Sequence, residues 1–307
     1  VVAPLRLMGA NLSCTDAGTL PLQIRGGARL HGGEFRLPVA SAQIKSALLL
    51  AGLYADDDTC VIEPAPTRDH TERMLRMFGV EVHSVGGRIC VNRQPLRATA
   101  VQVPADISSA AFFLVAGSIV PGSDLLLTQV GIYPTRAAVI DILRAMGARI
   151  DIHSSSAKAT EPVADLRVRH SPLRGIHIPE ELVPIAIDEF PAILVAAACA
   201  KGITVLAGAA ELRVKESDRI AAMAAGLQAL GITVQPRPDG MFVTGGAFQG
   251  GAVDSAGDHR IAMAFAIAGC RASGEVQVAN CANVSTSFPG FASYLRAVGG
   301  NISERPE

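Results

Sequence analysis

The sequence has little charge, and the two signs nearly cancel. Only 18% of its 307 residues are charged, and the formal net charge is −1. It has no basic tract and no interleaving of basic with aromatic residues, which a surface for nucleic acid would need. No apolar run approaches the roughly 18 residues of a membrane helix, and residues 1–12 lack the features of a signal peptide. These absences predict a cytoplasmic protein with no nucleic-acid and no membrane partner.

The cysteines form no Cys-x-x-Cys pair. Several of them sit inside apolar helical or strand-like runs, where a free cysteine behaves as a small packing residue. We therefore expect reduced packing residues in a cytosolic protein. The six cysteines lie at positions 14, 60, 90, 199, 270 and 281.

What the chain does contain is apolar residues and glycine. Hydrophobic residues make up 49% of it, and glycine occurs 30 times. This composition is typical of a tightly packed α/β enzyme and not of a disordered chain. The length favours two domains, each able to bury its own core.

One phrase, Leu-(Arg or Gln)-x-apolar-Gly-x-x-apolar, occurs five times, and its glycines are 70, 68, 84 and 68 residues apart. Such a period indicates a repeated structural unit. Each copy predicts a helix that ends at a left-handed glycine, followed by an alternating strand, and two copies continue into a hairpin turn. The first copy begins at residue 5, so we expect the chain to start inside a unit. The glycines are Gly9, Gly79, Gly147, Gly231 and Gly299.

Other helices are apolar on every side and are predicted to be buried. They occupy 44–53, 110–116, 192–200 and 261–268, and polar or charged residues stand just before each of them. A helix start offers free N–H groups and a partial positive charge, and so favours anions. We interpret these starts as a site for a small polyanionic ligand.

Cations strengthen this interpretation. Lys215 and Arg219 are four residues apart and share one face if the helix already includes Lys215. Taken alone, the stretch 213–219 is better read as a solvated helix start. The triplet Asp258-His259-Arg260 leads directly into an apolar helix, where unpaired charges would cost stability. A shared anionic ligand accounts for both clusters.

Two stretches resemble signatures of the EPSP synthase family. RVKESDR at 213–219 is similar to R-x-K-E-[ST]-D-R, and GDHRIAM at 257–263 is similar to the segment containing D-H-R-[MI]-A-M. LPVASAQIKS at 37–46, IDEFP at 187–191 and TSFP at 286–289 also resemble family segments, in the same order. The resemblance covers essentially the whole chain.

The resemblance implies a two-domain inside-out α/β barrel built of βαβαββ units. By that comparison residues 1–103 are the remainder of the shikimate-3-phosphate-side domain, with about two units. Residues 104–307 form the C-terminal domain, with three units and the phosphoenolpyruvate-side residues. The family's Lys-Ser motif, its Asn-Ala-Gly-Thr segment and a further arginine have no match here. The resemblance therefore implies that an N-terminal part of about 120 residues is lacking.

The implied reaction is transfer of the enolpyruvyl group of phosphoenolpyruvate to the 5-hydroxyl of shikimate 3-phosphate, in aromatic amino-acid biosynthesis. The family is the glyphosate target, and neither metal nor organic cofactor is implied. By matched position Asp188 and Glu216 are the catalytic proton carriers, and Asp188 also holds the shikimate hydroxyls. Lys215, Arg219 and Arg260 bind the anionic groups, for which the arginine fork is well suited.

Ser41, Ala42 and Gln43 match the family's segment for shikimate 3-phosphate, while Thr67 and Arg68 are weaker candidates. We expect the chain alone to be inactive, unless a complementing N-terminal segment or fusion partner is present. Two other functions stay open. One is UDP-N-acetylglucosamine enolpyruvyl transferase, which the wording of the two signatures disfavours; the other is a non-catalytic phosphate-binding subunit.

Overall fold

The structure is a computed structural model that describes residues 1–154 and 161–305. The chain divides into two compact units, Val1–Gln102 and Val103–Glu307. This division lies one residue from the boundary expected from the sequence. No helix among the described residues is both long enough and apolar enough to cross a membrane.

The helices alternate with short strands along the chain. The helices are α1 (Val2–Leu7), α2 (Ala42–Gly52), α3 (His70–Met77), α4 (Ile107–Ile119), α5 (Ala138–Ala145), α6 (Phe190–Ala198), α7 (Arg219–Ala229), α8 (His259–Gly269), α9 (Val284–Ser287) and α10 (Phe291–Ala297), with 3₁₀ helices at Glu180–Leu182 and Ala210–Val214.

The strands complete the α/β pattern. They are β1 (Asn11–Ser13), β2 (Gln23–Arg25), β3 (Gly33–Arg36), β4 (Thr59–Ile62), β5 (His83–Val85), β6 (Arg88–Val91), β7 (Asp124–Gly131), β8 (Arg149–Ser154), β9 (Val163–Arg169), β10 (Ile203–Leu206), β11 (Thr233–Arg237), β12 (Gly240–Thr244), β13 (Gly251–Asp254) and β14 (Val276–Ala279).

The first unit contains one complete βαβαββ repeat. It runs β3-α2-β4-α3-β5-β6, and its sheet has the order β3-β4-β6-β5 with β3 and β4 parallel. The helix α1 and the antiparallel pair β1 and β2 have the form of the end of another repeat. The expected two repeats are therefore one whole repeat and a part of one.

The second unit repeats the same order of elements. In its first repeat the sheet order is β7-β9-β8, and in its second it is β10-β12-β11. Isolated bridges supply the leading strand of each, because Ala105 pairs parallel to Val130 and His177 pairs parallel to Val205. The third repeat has β13 and β14 parallel, with α8 between them in sequence and α10 after them.

Three helices form the core of the second unit. α4, α6 and α8 pack against one another, and every residue of α6 is buried. Helices that are apolar all round belong in such an interior, so the prediction of buried helices is confirmed for these three. It is wrong for α2, which buries only a stripe of its residues and leaves Leu50 48% exposed.

All five repeat glycines have the left-handed conformation that the phrase predicts, with φ between +83° and +100°. The structure adds a contact that the phrase did not suggest. The side chain of the Arg or Gln donates a hydrogen bond to the backbone oxygen of the last apolar residue, six positions on, at 2.6–3.1 Å. We call this contact the repeat clasp. The donor and acceptor pairs are Arg6 and Leu12, Arg76 and Val82, Arg144 and Ile150, Gln228 and Val234, and Arg296 and Ile302.

The clasp does not require a strand after it. Four copies continue into β1, β5, β8 and β11, but residues 300–305 form no strand although Arg296 and Ile302 make the clasp. A strand exists only where its backbone pairs with a neighbour, and an alternating pattern cannot supply that neighbour. The strand prediction is wrong for the fifth copy.

The prediction of six reduced cysteines is wrong for one pair. Cys60 in β4 and Cys90 in β6 lie directly opposite each other in antiparallel register and are joined by a disulfide. Opposed residues on paired strands bring their Cβ atoms close together, but they are 30 positions apart in sequence. The other four cysteines form no disulfide, and burial raises the pKa of Cys199 to about 12.

Candidate active site

The second unit brings together five of the predicted site residues near the starts of α6, α7 and α8. Asp188 lies two residues before α6, and Arg260 is in the first turn of α8. Lys215 and Glu216 lie between a 3₁₀ helix and α7, and Arg219 is the first residue of α7. Because Lys215 precedes the helix, the two cations do not share a helix face. They converge instead on the same carboxylate.

That carboxylate belongs to Asp188. Its Oδ1 lies 3.4 Å from Lys215 Nζ and 3.5 Å from Arg219 Nη1. The third cation binds the same residue through the backbone, since Arg260 Nη1 donates to the Asp188 carbonyl oxygen at 3.1 Å. Asp188 is therefore held among three cationic side chains.

These charges set the protonation of the pair. Burial raises the pKa of Asp188, but the charges of Arg260, Lys215 and Arg219 outweigh it and bring the pKa below the usual range. For Lys215 burial lowers the pKa, but a hydrogen bond to Glu211 and the charge of Asp188 raise it overall. Both groups are consequently ionised at neutral pH.

Arg219 is anchored by Asp258, which the sequence marked as one of the charges before an apolar helix but not as a site residue. The side chains of Arg219 and Asp258 are 1% and 0% exposed, and Arg219 Nε donates to Asp258 Oδ2 at 2.8 Å. Asp258 also caps α8 by accepting from the Arg260 backbone N–H, and it accepts from the Ser217 hydroxyl at 3.1 Å. Burial raises the pKa of Asp258, but the bonds to Arg219 lower it overall.

Glu216 is the exposed member of the cluster. Its side chain is 51% exposed, and its Oε2 lies 2.6 Å from Arg219 Nη2. It therefore combines access to solvent with a fixed cationic partner.

Ser41, Ala42 and Gln43 lie in the first unit, at the start of α2. Ser41 is the N-cap residue, and its hydroxyl accepts from the Ile44 backbone N–H at 3.4 Å. Ala42 and Gln43 occupy the first turn, where backbone N–H groups have no partner within the helix. Such a turn can bind a phosphate group.

The same helix, α2, contributes a buried lysine to an ion cluster that sequence reasoning missed. Lys45 is 1% exposed, and its Nζ lies 2.7 Å from Glu72 Oε1 and 3.1 Å from Glu63 Oε2. Thr67, a weaker candidate, donates its hydroxyl to Glu63, and Arg68 is half-buried nearby in sequence. A lysine inside an apolar helix was the available signal, because such a charge needs a partner.

The second unit holds another overlooked carboxylate, Glu189, which follows Asp188 directly. Its Oε1 accepts from the Ser108 hydroxyl at 2.5 Å, and Arg136 Nη2 donates to the same hydroxyl oxygen at 3.1 Å. The described residues contain no group of three or more His, Cys, Asp and Glu side chains arranged to hold a metal ion.

Comparison with known proteins shows which family this chain resembles. Residues 1–295 match the family model of EPSP synthase (3-phosphoshikimate 1-carboxyvinyltransferase). The chain is 61% identical over 303 residues to the 3-phosphoshikimate 1-carboxyvinyltransferase of Methylococcus capsulatus, a match covering 98% of the chain and 69% of that protein.

Two solved structures are also similar. EPSP synthase from Acinetobacter baumannii has a TM-score of 0.92 and 50% identity, and the match covers 98% of this chain and 70% of that one. The enolpyruvyl transferase NikO from Streptomyces tendae has a TM-score of 0.77 at 19% identity, covering 98% and 71%; that likeness shows the fold alone.

The fold is that of the enolpyruvyl transferases, the two-domain inside-out α/β fold, as the sequence predicted. The chain belongs to the EPSP synthase family, the 3-phosphoshikimate 1-carboxyvinyltransferases. It spans about 70% of the length of the relatives named above.

Proposed function

We propose that this chain carries the phosphoenolpyruvate-side residues, and part of the shikimate-3-phosphate side, of a 3-phosphoshikimate 1-carboxyvinyltransferase. The observation that carries the proposal is the Asp188 carboxylate among Lys215, Arg219 and Arg260, within a chain of that family. The reaction joins two anionic substrates, and it needs both cations to hold them and carboxylates to move protons.

In the addition step the 5-hydroxyl of shikimate 3-phosphate loses its proton as its oxygen bonds to C2 of phosphoenolpyruvate. C3 gains a proton at the same time, which gives a tetrahedral intermediate. In the elimination step C3 loses a proton, the C2–O bond to phosphate breaks, and phosphate leaves. Asp188 accepts the hydroxyl proton in this proposal, and the more exposed Glu216 carries the proton to and from C3.

The cations have a second effect on Asp188. In the free protein they lower its pKa, so its carboxylate is ionised but only weakly basic. Binding of the phosphate and carboxylate groups of phosphoenolpyruvate to Lys215, Arg219 and Arg260 would neutralise much of that field. The basicity of Asp188 would then rise when the donor substrate is present.

Ser41, Ala42 and Gln43 would bind the phosphate of shikimate 3-phosphate through the first turn of α2. In this proposal residues 1–103 are the remainder of the domain on that side, and residues 104–307 carry the phosphoenolpyruvate side. The assignment is supported by the separation of the two groups of candidates between the compact units. A cytoplasmic location also stays a prediction.

We also propose that full activity requires the part of the family's length that this chain does not span. The support is the coverage of about 70% and the lack of a match to the family's Lys-Ser and Asn-Ala-Gly-Thr segments. On its own the chain should bind its substrates weakly and turn over negligibly. Normal steady-state activity of the chain alone would contradict this.

Calorimetry and phosphate release test the proposal together. Shikimate 3-phosphate and UDP-N-acetylglucosamine would each be titrated into the chain, with and without an added N-terminal segment of about 120 residues, the length that the family resemblance implies. We expect binding of shikimate 3-phosphate, strengthened by the segment, and phosphate release that Asp188→Asn abolishes. Asp141→Asn, on the exposed face of α5, is the matched control.

The two alternatives predict other results. A nucleotide-sugar enzyme would bind UDP-N-acetylglucosamine, whereas the relative at 61% identity is named for the shikimate substrate. A non-catalytic subunit would bind phosphate compounds but release none from phosphoenolpyruvate even with the added segment.

A further inference from the structure

Glu189 is a buried carboxylate beside the proposed base, and the proposed reaction gives it no part. Its side chain is only 5% exposed. Burial raises its pKa, and the Ser108 hydroxyl and the charges of Arg260 and Arg136 offset that effect only partly. A carboxylate in such a place costs stability unless its partners compensate. The side chains that contact Glu189 therefore indicate its role.

The partners of Glu189 join the starts of three core helices. From α4, Ser108 donates its hydroxyl to Glu189 Oε1. That hydroxyl is itself held by Arg136, which also binds Asp106 at 2.9 Å. From α8, Arg260 Nη1 lies 3.8 Å from the same Oε1. Glu189 thus stands between a fixed hydroxyl and a cation of the candidate site.

Arg260 depends on such a partner. Its side chain is 17% exposed, and its one hydrogen bond from the guanidinium in the described structure is to the Asp188 carbonyl oxygen. An arginine side chain loses rotamer entropy when it is held in place. The charge of Asp188 attracts the same guanidinium, and a close pair between the two would occupy both the base and the anion-binding group.

We propose that Glu189 is a positioning residue whose charge holds the Arg260 guanidinium at the start of α8, away from the Asp188 carboxylate and ready for an anionic group of phosphoenolpyruvate. The ligand in this inference rests on the proposed function. The positioning itself concerns only the chain's own side chains and can be measured without any ligand.

Glu189→Gln is the decisive variant. The amide keeps the shape of the side chain and can still accept from the Ser108 hydroxyl, but it removes the charge. Glu181→Gln is the matched control, because Glu181 lies exposed in the same segment before α6. Glu189→Asp retains the charge on a shorter side chain and should restore part of the effect.

The first measurement is nuclear magnetic resonance of the chain labelled at arginine. The side-chain signal of Arg260 is identified by its loss in Arg260→Lys. We expect Glu189→Gln to move this signal and Glu181→Gln to leave it unchanged. Ser108→Ala should shift the Arg260 signal less than Glu189→Gln does. It is the variant to use if Glu189→Gln fails to fold. An unchanged Arg260 signal in these variants overturns the inference.

The second measurement is phosphoenolpyruvate binding by the same proteins in the presence of shikimate 3-phosphate. Loss of the positioning should weaken binding about tenfold. The guanidinium is then mobile before binding, and the entropy lost in fixing it reduces the affinity for the ligand. If the signal moves but affinity is equal in Glu189→Gln and the unmodified chain, the inference is overturned. If the unmodified chain binds no phosphoenolpyruvate even with the added N-terminal segment, the proposed function fails, and the resonance result alone decides the positioning of Arg260.

Discussion

Replacing Asp258 with asparagine should destabilise the second unit by about 3–5 kcal/mol, the cost of removing one partner of a buried ion pair. The side chains of Arg219 and Asp258 are 1% and 0% exposed, so water cannot take the place of the lost charge. Asparagine still offers an oxygen to the Arg260 backbone N–H and so keeps the helix cap, worth about 1 kcal/mol. Glu216 and Asp188 remain near Arg219, which favours the lower end of the range.

Hydrogen exchange followed by mass spectrometry is the suitable assay, because a chain of two units need not unfold in a single step. Peptides from α7 and α8 should lose protection in Asp258→Asn and not in Asp141→Asn. A loss below about 1 kcal/mol, typical of an exposed pair, would refute the reasoning that the buried charge of Arg219 needs this partner.

A double variant and the pH dependence check the same reasoning. Replacing Arg219 with methionine and Asp258 with leucine together should cost less than Asp258→Asn, since both buried charges are then gone. The pKa of Asp258 is lowered in the folded chain, so its contribution is present above about pH 4, the usual aspartate range. It is lost as the pH falls through the lower, folded value. If the stability of Asp258→Asn fell with pH as steeply as that of the unmodified chain, that assignment would be contradicted.

The remaining predictions concern the repeat clasp and the proposed base. Arg144→Leu should lower the free energy of unfolding by about 1 kcal/mol through the lost hydrogen bond to Ile150. Arg144→Gln should be tolerated, because the amide can donate the same bond. If thermal unfolding shows the same loss of stability in both variants, the donor has no role. Lys215→Met should raise the pKa of Asp188, because one of the charges that lower it is removed. Carbon-13 resonance of the carboxyl group measures this, Lys201→Met is the exposed control, and a fall in the pKa would disprove the assigned cause.

The sequence predicted well the features that depend on residues close together in the chain. A helix end, a left-handed glycine and the next strand lie within eight positions, so Gly79 and Gly231 could be placed from backbone chemistry alone. The convergence of Lys215, Arg219 and Arg260 was expected because charges stood at the start of apolar helices. Family resemblance, not periodicity, supplied their roles.

What escaped prediction depends on register and on distant partners. Cys60 and Cys90 are opposed only because β4 and β6 pair in one particular register, and nothing local in the sequence fixes that register. Ser108 and Glu189 are 81 positions apart, so their bond exists only once α4 and α6 pack together. The polar residues before each helix showed that partners were needed, but they did not show which ones.

The repeat clasp has a practical consequence for the surface of the molecule. Four copies use arginine and one uses glutamine for the same bond, at closely similar distances. The turn therefore needs a donor of the right reach and not a positive charge, and its strength should vary little with ionic strength. Exchanging arginine for glutamine at these sites would let the net charge of the chain, and with it solubility and non-specific adhesion, be adjusted while the helix-to-strand corners stay intact.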